Sequence, residues 1–131
     1  MSLYVQKFGG TSVGTSERIQ SVAKKVAGFS AQGHDVVVVV SAMSGETNRL
    51  LGLASSITDE PCAREMDVLL STGEQVTIAL LSMALESLGV RAKSYTGTQV
   101  KILTDESYNK ARILEIDEHN IRKDLSSGKV V

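Results

Sequence analysis

Cysteine is almost missing from this chain of 131 residues, where Cys62 stands alone. A single thiol excludes an internal disulfide framework and a zinc site built on cysteines, and it fits a reducing compartment. Neither sign of charge is in excess: 14 Lys and Arg face 15 Asp and Glu, for a net charge of -1. That excludes the basic field that recruits nucleic acid or an anionic membrane, and it excludes an acidic tail. Long apolar runs are also lacking. The longest charge-free stretches, such as residues 75–85, are about half the span a transmembrane helix needs. The N-terminal segment MSLYVQKFGG has no apolar stretch of the kind a secretory signal requires. These gaps predict a soluble, cytoplasmic protein with no nucleic-acid or membrane partner. The length suits one domain that buries roughly two-thirds of its unfolded surface.

What is present alternates between two periods. Residues 3–8, LYVQKF, read as a short strand running into Gly9 and Gly10. Thr15 or Ser16 then caps a helix whose apolar positions are Ile19, Val22, Ala23, Val26 and Ala27, with Gly28 and Gly33 at its exit. Residues 36–40 are five valines; a β-branched run without alternation predicts a strand covered on both faces. Ser44 and Gly45 open a second helix with Leu50, Leu51, Ala54 and Ile57 inside. A third starts near Pro61 with Met66, Leu69 and Leu70. Gly73 is expected to interrupt it, and Thr72 with Gln75 forms a capping-box pattern that restarts a helix. That restarted helix, residues 76–88, is apolar on two stripes and should be buried on nearly all sides. A strand at residues 91–95, extended pieces around 100–103 and 113–116, and a helix capped by Asn120 follow. Gly128 ends that helix, and residues 129–131 read as the start of a further strand. The pattern predicts an α/β fold, a parallel or mixed sheet sandwiched by helices. Because the chain stops where a central strand should begin, a piece of a longer protein is expected.

The stretch richest in chemistry is VQKFGGTSV, residues 5–13. A lysine closing a strand, two glycines, two hydroxyls and then a helix make a plausible phosphate site. Glycines let backbone N–H groups approach an anion, the helix start adds partial positive charge, and Lys7 supplies a full one. The loop is not a Walker A motif, in which the lysine follows the glycines. The spacing of Gly9, Gly10 and Gly14 does not match the dinucleotide fingerprint either. By spacing alone, a tight strand-to-helix turn beside a solvated lysine is an equal alternative.

Those nine residues resemble the N-terminal signature of the aspartate kinases, within the amino-acid kinase superfamily. SAMSGETN, residues 41–48, resembles that family's second loop, and STGE, residues 71–74, its third, in the same order and at similar distances. The resemblance covers essentially the whole chain. It implies the N-terminal portion of an amino-acid kinase (carbamate-kinase-like) catalytic domain, in a protein that phosphorylates the β-carboxylate of L-aspartate with ATP. That step opens the routes to lysine, threonine and methionine. It further implies that Lys7, Phe8, Gly9 and Gly10 hold the ATP phosphates, with Lys7 stabilising the moving phosphoryl group. Ser41 would line the phosphates, and Thr47 and Glu74 would bind aspartate. Magnesium would arrive on the nucleotide, with no metal site in the chain, and the full-length protein would be a homo-oligomer. The rest of the family's kinase domain and its regulatory ACT domains lie outside these residues, so this piece alone is expected to be inactive.

Glu74 suits the substrate's α-ammonium, as a carboxylate held at a helix start by the dipole. No general base is demanded, because the β-carboxylate is ionised at pH 7. Each residue also has a plainer reading: Glu74 as a first-turn charge, Thr47 as a helix-start residue capping near Ser44, Ser41 as a polar strand end. Two alternatives for the whole stand beside the kinase: a non-catalytic module that only folds or binds a partner, and a kinase for another acidic substrate such as glutamate. His34 and His119 read as exposed turn residues, Cys62 as a helix-start residue, and Met43, Met66 and Met83 as core filler. Lys24, Lys25, Arg122 and Lys123 read as solvated helix faces, and Asp117, Glu118 and Asp124 as too scattered for a metal site.

Overall fold

The computed structural model describes residues 1–131. β1 (Leu3–Phe8) and β2 (Asp35–Val40) run parallel, in register from Leu3 opposite Asp35 to Phe8 opposite Val40. The helix between them, α1 (Ser16–Ala31), makes the crossover. On the other edge of β2, the Val131 N–H donates to the Val36 carbonyl (3.2 Å) and the Val38 N–H donates to the Val131 carbonyl (2.7 Å). Val130 in turn bridges Ala92 in parallel. The backbone order is therefore β1, β2, residues 130–131 and residues 91–93, all parallel. The strands expected at residues 91–95 and 129–131 are both reduced to the one bridge between Ala92 and Val130, with the backbone of Val131 bonded to β2 beside it.

The start of α1 follows the sequence closely. Thr15 is the cap, its hydroxyl accepting from the Arg18 N–H (3.2 Å), and Ile19, Val22, Ala23 and Val26 are buried. Together with Val13, Val36, Leu81, Leu85 and Val130 they form the core.

The valine run departs from expectation. Val36 is buried, but Val39 is 49% exposed, so β2 is covered well on one face only. Its valines 37–40 instead line one wall of an open, mainly apolar cavity of about 430 Å³. α2 (Glu46–Ile57) starts at Gly45, whose φ of +82° is a left-handed conformation that glycine adopts at little cost. Leu50 is buried, but Ile57 is 85% exposed and Leu51 faces solvent, so the inner face of α2 is narrower than its apolar residues suggest.

The largest correction concerns residues 63–87. They form one continuous helix, α3 (Ala63–Ser87), with Gly73 inside it. No capping box forms at that point: the Thr72 hydroxyl donates to the Leu69 carbonyl (2.7 Å), within the helix. Nor is α3 buried on nearly all sides. Gly73, Thr77, Leu81 and Leu85, spaced by four, make its single buried stripe, while Val76, Leu80 and Met83 are exposed. Met83 is thus no core filler. By length and hydropathy alone α3 passes as a membrane span, with a mean hydropathy of 1.5 over an 18-residue window, which the count of charge-free runs did not reveal. Its stripe packs on α1, α2 and β2.

β3 (Ile102–Thr104) and β4 (Ile113–Ile116) form a separate antiparallel hairpin with a register shift at Leu103 and Thr104. α4 (His119–Ser126) begins after Glu118 rather than at Asn120, and Asp117 does the capping work, its carboxylate accepting from the His119 N–H (2.9 Å). Asp124 of α4 is buried. It accepts from the Lys129 ammonium (2.6 Å) and the Tyr95 hydroxyl, with Lys93 at 3.5 Å. The Lys129 hydrogen bond first, then Tyr95, holds its carboxyl down at about 2. His34 is half-buried, not exposed: its Nδ1 accepts from the Ser2 N–H (3.2 Å), and its ring meets Tyr4 edge-on at 5.0 Å.

Candidate functional site

The carboxyl ends of two parallel strands, with the loops that leave them, are where an open α/β sheet gathers its polar groups. Lys7 closes β1, opposite Val39. Its side chain is exposed and makes no ion pair, and its ammonium lies 3.9 Å from where a Cβ on Gly9 would stand. Phe8 turns inward to pack on the core, and its carbonyl accepts from the Ser41 N–H (3.2 Å), joining the two strand ends.

The loop between β1 and α1 is folded by one turn, the Ser12 N–H donating to the Gly9 carbonyl (3.0 Å). The N–H groups of Gly9, Gly10 and Thr11 donate to no other group of the chain. Two glycines sit in tight quarters. A Cβ on Gly10 would stand 3.1 Å from the Ala42 carbonyl oxygen, and one on Gly14 would stand 3.1 Å from the Ser44 Cβ. The glycine loop therefore lies pressed against the segment that follows β2.

Glu74 reaches the same place from α3. Its Oε1 accepts from the Ala42 N–H at 3.3 Å, and the side chain is otherwise exposed. The expected setting of Glu74 is corrected here. It is the twelfth residue of a 25-residue helix, so neither a helix-start dipole nor a first-turn role applies to it. A backbone N–H at the end of β2 holds its carboxylate instead.

Thr47 is the second residue of α2 and is exposed. No hydrogen bond ties it to Glu74 or to the glycine loop, and the cap of α2 is Gly45, without a side-chain bond. Beside it, Glu46 pairs with Arg49 at 2.6 Å, which keeps the Glu46 carboxyl below its ordinary range. The structure thus brings Lys7, Phe8, Gly9, Gly10, Ser41 and Glu74 to one end of the sheet and leaves Thr47 at its rim. Sequence reasoning passed over Ala42, which faces both the glycine loop and α3, and the closely packed glycines 14 and 73. It also passed over the buried Asp124 cluster, whose members are scattered from residue 93 to residue 129. Only Asp124, as a charge on the apolar side of an amphipathic helix, carried any signal.

Cys62 is exposed at the start of α3 and His119 is exposed. No group of three or more His, Cys, Asp or Glu side chains lies close enough to hold a metal ion.

A family model, the amino acid kinase family, matches residues 2–131. The aspartokinase of Pseudomonas aeruginosa is 68% identical over 131 residues, covering 100% of this chain and 32% of that protein. Aspartokinase 2 of Bacillus subtilis is 53% identical, again over 100% of this chain and 32% of its own length. The chain spans about a third of the length of the curated relatives it matches. Among solved structures, aspartate kinase from Synechocystis superposes with a TM-score of 0.80 at 50% identity, over 100% of this chain and 21% of that one. E. coli aspartokinase III, solved in complex with aspartate and ADP, shares the fold with a TM-score of 0.83 at 20% identity, over 99% of this chain and 40% of its own.

Proposed function

The chain belongs to the amino acid kinase family, and from that premise we propose that it forms the N-terminal part of the catalytic domain of an aspartate kinase. The reaction is transfer of the γ-phosphoryl of ATP to the β-carboxylate of L-aspartate. A carboxylate oxygen forms the new P–O bond, the bond to the ADP oxygen breaks, and 4-phospho-L-aspartate and ADP result. The observation that carries this reading is the meeting of two opposite functions at one strand end. Three free backbone N–H groups and a lysine ammonium line the glycine loop, and a carboxylate is anchored by Ala42 alongside it.

Free N–H groups on closely packed glycines suit an anion, which takes several charge-assisted hydrogen bonds without costing a side chain's entropy. Lys7 supplies the charge that phosphoryl transfer stabilises most, on the oxygens of the moving group. Ser41, tied to the end of β1 through Phe8, would line those phosphates with its hydroxyl. Glu74 would offer an anion to the α-ammonium of the amino acid, and Thr47, exposed at the start of α2, would contact its other end. Magnesium, bound to the nucleotide, would neutralise phosphate charge. No residue needs to remove a proton, since the acceptor carboxylate is already ionised at pH 7. Positioning and charge neutralisation then do the chemistry. A reducing cytoplasm suits the exposed, unpaired Cys62, and the full-length enzyme is a homo-oligomer in this reading.

The test is an ADP-release assay on the full-length protein, with and without aspartate and with glutamate as the competing acceptor. ADP release that requires aspartate supports the reading. Release with glutamate but not aspartate moves the chain to another branch of the family, and no acceptor-dependent release refutes a kinase at this site.

A further inference from the structure

Ala42 is an unremarkable residue by type, yet all three of its functional surfaces are engaged. Its N–H holds Glu74, its carbonyl oxygen faces Gly10, and its methyl faces Gly73. The last contact is the tightest. A Cβ built on Gly73 would stand 2.9 Å from the Ala42 Cβ, closer than carbon atoms approach, whereas the next neighbours, Glu46 Cγ at 3.5 Å and Leu50 Cδ1 at 3.7 Å, would be in ordinary contact. Gly73 is buried in the middle of α3, where glycine costs about 1 kcal/mol of helix stability relative to alanine. Such a cost persists where the missing methyl lets something come close.

We propose that Gly73 and Ala42 form a positioning pair, in which the bare Gly73 lets α3 seat on the Ala42 methyl and so sets the Glu74 carboxylate on the Ala42 N–H beside the glycine loop. This rests on the reading of Glu74 as the group that receives the amino-acid substrate. The geometry has little slack. At 3.3 Å the Ala42 to Glu74 bond is already at the long end for an N–H donor. Glu74 is the next residue along the helix from Gly73, so any lift of α3 at residue 73 carries its carboxylate away from residue 42. The Ala42 carbonyl also faces Gly10, so Ala42 sets the distance between the Glu74 carboxylate and the phosphate loop as well. A misplacement of about 1 Å at such a point is enough to cost one to two decades in rate.

The pair predicts a rescue. In the full-length protein, Gly73→Ala should raise the KM for aspartate about tenfold or more and leave the KM for ATP within about twofold. Adding Ala42→Gly removes the conflicting methyl and should return the aspartate KM to within about threefold of the wild type. A loss of folded protein alone would lower the apparent kcat and leave that KM in place. A second readout needs no turnover. The residue-42 amide shift, followed by NMR, should track a carboxyl titration in the wild type, lose it in Glu74→Gln, keep less than about half of it in Gly73→Ala, and regain it in the double variant. Should Gly73→Ala fail to fold, the double variant must restore folding. An unchanged aspartate KM with an intact amide titration in Gly73→Ala, or a double variant no better than the single one, overturns the pairing. If the wild type shows no aspartate-dependent turnover, the kinase reading falls, and the amide titration still decides the positioning.

Discussion

Lys7 brings a full positive charge to the glycine loop, as does Arg18, whose guanidinium donates to the Thr11 carbonyl (3.2 Å), and Lys7 is held by the strand rather than by an ion pair. Because nothing in the folded chain depends on that ammonium, its removal separates chemistry from stability. Lys7→Ala should lower kcat by about 10²- to 10³-fold, the scale seen when one charge-stabilising group is lost, and leave the thermal midpoint within about 1 °C. Steady-state kinetics and calorimetry on the same preparation check both halves. Glu74 stands differently, since its carboxylate is tied to Ala42. Glu74→Gln keeps a hydrogen-bond acceptor for that N–H but removes the counter-charge for the substrate ammonium. The aspartate KM should rise by an amount worth about 1.5–3 kcal/mol, the range for hydrogen bonds to charged groups, while the ATP KM stays close to its starting value. Substrate-saturation curves in each ligand measure the difference. At this scale the sequence was informative: Lys7, Phe8, Gly9, Gly10, Ser41 and Glu74 do share one end of the sheet. Ala42 was not legible, because what it does is done by its backbone and a single methyl.

The elements show why some local signals read true and others misled. Thr15, one of the two caps expected, starts α1 because an N-cap is decided within three residues. Gly73 misled because its role is tertiary: the propensity cost of about 1 kcal/mol is real, but the packing of α3 on residue 42 outweighs it and the helix runs through. The valine run misled in the opposite direction. Composition shows that a strand tolerates cover on both faces, not that both faces receive it, and the outer face of β2 meets an open cavity. α4 was misplaced by a residue or two because Asp117, two residues before the helix, provides the hydrogen bond that a cap would. The Asp124 cluster joins α4 to residues 93–95 and to Lys129, and it makes a pH-dependent contribution. With the carboxyl held at about 2 in the folded chain against 3.8 ordinarily, the folded state favours the ionised form. That stability is fully present above about pH 4 and is lost as pH falls toward 2. Asp124→Asn should therefore cost about 1–2 kcal/mol at pH 7, less than the full linkage value because Lys93 is half exposed. The gap between variant and wild type should be flat from pH 5 to 8, narrow below about pH 4 and close near pH 2, in urea titrations followed by circular dichroism.

For the molecule as a whole, the fold presents a parallel sheet whose carboxyl end gathers loops from β1 and β2 and a side chain from the middle of α3. That gathering follows from topology. A crossover through α1 returns the chain parallel to β1, so both strands deliver their following loops to the same side. The alternation of strand and helix was enough to predict this much. Long-range placement of α3 was not predictable from periodicity, because it depends on which stripe of a broadly apolar helix finds a partner. One face of β1 carries exposed Leu3 and Val5, and the relatives are about three times as long, so the catalytic reading belongs to the full-length protein. The most direct measurement traps the product there. Incubation with ATP, L-aspartate and hydroxylamine converts an acyl phosphate to the hydroxamate, which is quantified by colour and mass alongside ADP. The wild type should form hydroxamate and ADP in equal amounts, only when aspartate is present, and folded Lys7→Ala should form about a hundredth as much or less. Hydroxamate formation at wild-type rates by folded Lys7→Ala, or ADP release with no aspartyl hydroxamate, would contradict phosphoryl transfer at this site.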